Sequence, residues 1–264
     1  MFDTRLNSES HFFVKEQEIS GLETLDVGYN NSATTLNPLG YAKGVTAVGG
    51  ATTQEVSFSR NLIYADPILD YTGTESISGS INYNGGSYGF TSGYLTSYSV
   101  NCAVNSIPKV NTSVVVYDEM RSGYNASGSE SPPPTIYIPS QGSITATCDN
   151  TTTNRVVGFD YSLAVKRKPY YTIGSESPSA VTMVLPIEYS ATVQLEVDDA
   201  FLESGYAFLG TGKSSKTVSF SIQGRDGTSL QSLSIPNACL VGEKLNSSAD
   251  GALRLTLNYM GHDG

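Results

Sequence analysis

The stretch Ala207-Phe208-Leu209-Gly210-Thr211-Gly212-Lys213-Ser214 has the residue types of a phosphate-binding loop, with Gly-Lys-Ser in the order such loops use. That loop also needs a glycine separated by four residues from its Gly-Lys, so that backbone N–H groups can curl around phosphate. Ala207 stands there instead, an acidic segment precedes it, and a strand-like run, VSFSI, follows. The two histidines, His11 and His262, lie near the ends of the chain, where a Ser-His-Asp site is seldom held rigidly. Asp198-Asp199 lacks the alternating oxygen donors of a calcium loop and suits a helix N-terminus better. Lys166-Arg167-Lys168, followed by Pro169-Tyr170-Tyr171, is the one basic cluster; it could be a nucleic-acid patch, but three such charges are more often a solvated loop or a contact to an acidic neighbour. Assembly would favour the last. Paired carboxylates for glycoside cleavage cannot be assigned, and the lack of Trp disfavours a carbohydrate platform. The residues support no enzyme, and neither a metal nor a cofactor is expected.

The elements that would position such groups are strands. Only 15% of the 264 residues are charged, 39% are hydrophobic, and glycine is frequent at 26. Ser, Thr and Tyr are plentiful and no long helix-periodic stretch occurs, which predicts an all-β protein. The formal net charge is -10, against a protein that grips nucleic acid through a basic stripe, though not against a surface past which DNA slides. The opening MFDTRLNSESHFFVKEQ does not read as a signal peptide, and no run reaches the roughly 20 apolar residues of a membrane helix. Cys102, Cys148 and Cys239 are odd in number and far apart, so they are read as buried free thiols.

In ISGSINYNGGSYGFTSGYLTSYSV (residues 77–100), Ile77, Gly79, Ile81 and Tyr83 alternate with small polar residues, and Asn84-Gly85-Gly86 supplies a tight turn. The reading is a Tyr-rich β-hairpin. Tyr83, Tyr88, Phe90, Tyr94 and Tyr98 are candidates for contact between subunits, or simply for packing across the hairpin. Lys166, Arg167 and Lys168 join them as candidate contacts.

From Arg121 the chain reads RSGYNASGSESPPPT, predicting a domain at 1–125, a Ser/Pro-rich linker at 126–134 and a second domain at 135–264. The two parts look alike. EVSFS (55–59) followed by ISGSINYNGG corresponds to TVQLE (192–196) followed by VSFSIQGRDG, and SVVVYDEM to ALRLTLNYM. A short helix is expected near Asp66-Pro67, with Asp66 as N-cap, and its twin near Asp198–Glu203. The stretch from Thr135 to Pro186 has no clear counterpart in the first half.

The ending IPNACLVGEKLNSSADGALRLTLNYMGHD, with its Asn-Ala kink, loop, Asp-Gly and alternating strand ending in Tyr, resembles the closing segment of bacteriophage tail tube proteins. The hairpin of residues 77–100 and IPKVNTSVVVYDEM resemble that family too. The resemblance implies two tandem β-sandwich or open-barrel domains of tail-tube type, each with a short flanking helix. It implies a virion protein made in the host cytoplasm, with itself as partner: three chains supplying six domains to a pseudo-hexameric ring, rings stacked into a hollow tube. Other tail and neck proteins would be partners, and viral DNA would pass through without specific binding; no membrane is involved. The alternative roles are a neck or collar component, or a receptor-binding or decoration protein. Sheet edges would join neighbouring subunits, and an acidic, hydroxyl-rich lumen would not hold DNA phosphates.

Overall fold

The computed structural model describes residues 10–30, 33–36, 45–48, 53–83, 86–125, 143–148, 151–198, 216–248 and 251–263. The strands of the first half are β1 (Ser10–Val14), β2 (Gln17–Glu18), β3 (Leu22–Asn30), β4 (Ala33–Leu36), β5 (Val45–Val48), β6 (Thr53–Asn61), β7 (Ile77–Tyr83), β8 (Gly86–Ala103), β9 (Lys109–Val116) and β10 (Arg121–Ser122). Those of the second half are β11 (Ile144–Cys148), β12 (Thr151–Thr153), β13 (Val156–Tyr170), β14 (Ala180–Glu196), β15 (Lys216–Gln223), β16 (Ser229–Ser248) and β17 (Gly251–Asp263). The protein is all-β, with a large antiparallel sheet. The only helical element among the described residues is a four-residue 3-10 turn, Ile68–Tyr71.

That turn corrects the expected first flanking helix. Asp66 Oδ1 accepts the Ile68 N–H at 2.9 Å, but the N-cap position falls on Pro67, one residue later than expected. The turn ends at Tyr71, with Ile68 fully buried and Leu69 and Tyr71 packed partly buried against the same core. The expected twin beyond Asp198, the proposed linker 126–134, the Asn84-Gly85 turn and the 207–214 loop lie outside the described residues.

Eight strands run side by side in the order β3-β6-β9-β8-β13-β14-β17-β16, each antiparallel to the next. The order β3-β6-β9-β8 recurs as β13-β14-β17-β16 in the same sequence order. The correspondence extends further: β1 pairs β2 and β7, as β11 pairs β12 and β15. Both β8 and β16 are long strands serving two layers. β8 pairs with β7 as far as Gly93 and with β13 from Ser97 onward; β16 pairs with β15 as far as Ala238 and with β17 from Cys239. The described residues between 143 and 186 therefore have a structural counterpart: β11 to β14 take the places of β1 to β6. Their alternation of apolar and small polar residues is shared, but their identities are not, so the sequence hides the match.

Each long strand changes layer at a local irregularity. β8 has a register shift against β9 between Leu95 and Ser97. β16 turns at Asn237, which takes φ 48°, a left-handed conformation that Asn tolerates, and its Nδ2 donates to the His262 carbonyl at 3.1 Å. This is the Asn-Ala kink read from the sequence.

The broad sheet is backed by two smaller ones, β2-β1-β7-β8 and β12-β11-β15-β16. Phe12 packs on Phe58 (ring centroids 5.1 Å apart) behind the first half, and Phe159 stacks on Phe220 (5.4 Å) behind the second. One contiguous apolar cluster runs through both halves, joining Val56, Val100 and Val114 to Tyr161, Val193 and Leu257. Glycines make room for it. A Cβ at Gly79 or at Gly93 would lie 2.6 Å from the Phe90 ring.

Candidate functional site

Alternation sends one set of side chains from each strand into the core and the other set to the opposite face. Across the broad sheet that opposite face is paved with small polar groups. Register aligns Thr24, Ser59, Asn111, Ser99, Ser162 and Ser190 in one row, which ends on the exposed Met260 and on Cys239. Lys109, Asn101, Asp160, Thr192 and Asn258 form the next. The hydroxyls bond across strands: Thr24 to Ser59 at 2.7 Å, Ser162 to Ser190 at 2.7 Å, and the Thr192 hydroxyl donates to Asn258 Oδ1 at 2.9 Å. Each such pair stabilises its strands by roughly 0.2–1 kcal/mol. A surface whose polar groups are already paired, with scattered carboxylates such as Asp26 and Asp160, offers little to a polyanion.

Beyond this sheet β13 and β14 continue as a two-stranded arm, residues 166–184, where neither strand has a second neighbour among the described residues. Pro169 and Pro186 fall in or beside it, where a missing N–H costs no ladder bond. The arm folds back onto the first half through Arg167. Its guanidinium donates to the carbonyls of Leu95 (2.9 Å), Gly73 (2.6 Å) and Thr72 (3.0 Å) and lies 5.8 Å from the Tyr94 ring centroid. Tyr94 in turn packs on Tyr117 at 5.9 Å. Burial lowers the Arg167 pKa, and burial raises that of Tyr117.

The candidate contact residues are thus divided by the fold. Tyr94 and Arg167, distant in sequence, come together. Lys166 pairs with Glu188, and the Lys168 ammonium sits 5.3 Å from the Tyr170 ring. Tyr83 is half-buried against Gly86, and Tyr88 lines a cavity. Phe90 and Tyr98 are corrections: each is 1% exposed and belongs to the core, so neither is available to a neighbouring subunit. Period-two alternation shows that a Tyr faces one side, but not which side is inward.

Tyr98 belongs to a polar group that the sequence left unmarked. Its hydroxyl donates to Asp66 Oδ2 at 2.7 Å, and the same carboxylate faces the Arg60 guanidinium at 2.5 Å, with both charged side chains buried. Arg60 also donates to the Ser20 carbonyl, at 3.4 Å. Arg60 occupies an inward position of β6 between Phe58 and Leu62, and that is the signal which could have found it.

The chemical candidates are occupied structurally. His11 Nδ1 lies 2.8 Å from Glu18, and Asp198 pairs with Arg155 at 3.2 Å; the three cysteines form no disulfide, and only Cys148 is buried, which corrects the reading of Cys102 and Cys239 as buried thiols. A cavity of about 320 Å³ is bounded by Tyr29, Tyr88, Tyr117, Asp118 and Glu176. Its Asp118 carboxylate is already engaged by the Thr91 hydroxyl (2.6 Å) and the Glu119 N–H (2.8 Å). Among the described residues no three His, Cys, Asp or Glu side chains converge as a metal site would require. No protein-family model matches the chain, and no curated protein matches it in sequence.

Proposed function

We propose that this chain is a structural protein of a phage tail whose copies form stacked rings around a channel for DNA. The observation that carries this reading is the broad sheet: a strand order that occurs twice, with a face rich in hydroxyl and amide groups turned away from the core. A duplicated unit suits a pseudo-hexameric ring of three chains. Three copies of an eight-stranded sheet supply 24 strands, which at ~4.8 Å spacing and ~40° tilt close at a backbone diameter of about 48 Å. That leaves room for a duplex. A lumen lined mostly by Ser, Thr and Asn, with a few carboxylates and a Lys109 already paired with Glu23, would release few counterions from DNA and so would hold it weakly.

Electron microscopy of the purified protein across a concentration series tests this. Stacked rings with a central channel and three-fold symmetry are expected. Isolated rings that never stack would move the protein to a neck or collar role. Dispersed single particles at every concentration and ionic strength would overturn the proposal and leave a receptor-binding or decoration module.

A further inference from the structure

The junction between the two halves of the chain is itself a strand pair: β8, at the end of the first four-strand set, is bonded to β13, at the start of the second, from Ser97–Ala164 to Ala103–Gly158. The same two positions are left over at the limits of the broad sheet. Among the described residues β3 pairs only with β6, and β16 beyond Ala238 pairs only with β17. β3 holds in its set the place that β13 holds in the second; β16 holds the place of β8. We infer that β16 of one copy pairs with β3 of the next, head to tail, repeating between chains the junction that β8 and β13 make within one. The inference deepens the proposed function, naming the surface by which copies join, and rests on that reading for the closure of the ring.

Three observations support it. Strand direction alternates through eight strands, an even number, so β16 and β3 run in opposite directions and meet antiparallel, as every other pair in the sheet does. Both strands expose apolar side chains: Val27 and Tyr29 on β3 are 39% and 76% exposed, and Val241 and Leu245 on β16 are 58% and 40% exposed. Open edges with apolar side chains are an association hazard unless a partner covers them. Charge also matches, since Asp26 lies on β3 and Lys244 on β16, and neither makes an ion pair among the described residues. Different patches on the two partners make the contact heterologous, which closes into rings or continues as filaments.

Two full-length variants test it, Val27→Lys and Leu245→Lys, each placing a charge on one half-exposed edge position. Thermal unfolding first checks that each folds as the parent does. By sedimentation velocity each variant alone is expected to be monomeric at concentrations where the parent assembles. Mixed in equal amounts they are expected to form a dimer and nothing larger, because one intact β3 and one intact β16 remain. Self-association of either variant alone would overturn the inference, as would a mixture that stays monomeric. Parent rings that persist in both variants would sink this edge pairing and leave the tube reading standing. A parent that forms head-to-tail dimers or open chains, abolished by both variants, would do the reverse.

Discussion

The buried Tyr98 hydroxyl donates to Asp66 at 2.7 Å, and the Asp66 backbone N–H donates to the Leu230 carbonyl at 3.4 Å. A residue of the first half thus organises the core and touches the second. Removing one partner from such a group costs more than replacing it whole, because it strands a buried charge. Tyr98→Phe should destabilise by about 1–3 kcal/mol, and Arg60→Met alone by about 3–5 kcal/mol. The double variant Arg60→Met with Asp66→Leu should recover much of the second loss. Urea denaturation of the three reads this; a double variant as unstable as the sum of its parts would refute the coupling.

Arg167 fastens the arm to three carbonyls that a lysine cannot reach together. Arg167→Lys should leave the unfolding midpoint nearly unchanged while backbone amides of residues 166–184 exchange with deuterium at least several-fold faster. Unchanged exchange in the arm would show that its other contacts hold it.

Close approach at the β16 kink predicts a glycine effect. A Cβ at Gly261 would lie 2.4 Å from both the Ile235 side chain and the Pro236 carbonyl oxygen. Gly261→Ala should therefore cost about 1–3 kcal/mol. Gly73, where a Cβ meets nothing within 4 Å, serves as the control. Equal melting temperatures for both alanine variants would contradict the packing of the kink.

Alkaline pH should unfold the protein through its buried phenols. Burial, then the neighbouring Asp66 charge, raises the Tyr98 pKa well above the phenol value, and burial does the same to Tyr161. A native pKa above the unfolded one means that the unfolded chain releases its protons first. The stability these groups contribute is complete below about pH 10 and is lost as pH rises beyond it. The urea midpoint should hold between pH 8 and 9 and fall from about pH 10, less steeply in Tyr161→Phe. A midpoint insensitive to pH up to 11.5 would count against this account.

The polar face predicts how a channel variant behaves. Ser162→Lys with Ser190→Lys puts two cations where the parent has a hydroxyl pair. Assembled material carrying both should retain duplex DNA at low salt and release it as salt rises, while the parent retains little. Equal retention by parent and variant would remove this face from the channel.

Alternation and composition determined the all-β class, the hairpins on either side of each turn, and the correspondence of residues 55–59 with 192–196. These are local, since each strand carries its own period-two pattern and each turn its own residues. The Asn237 kink was legible for the same reason: it is written in two adjacent residues. Which side of β8 faces inward was not. Tyr94 and Tyr98 look equivalent in the chain, yet a register shift after Leu95 helps send one to Arg167 and the other to Asp66. The match of 143–170 with 10–30 was equally hidden, because strand pairing is carried by backbone groups that every residue shares. Only the tertiary structure, by hydrogen-bonding β8 to β13, decided that the two halves form one sheet with one polar face.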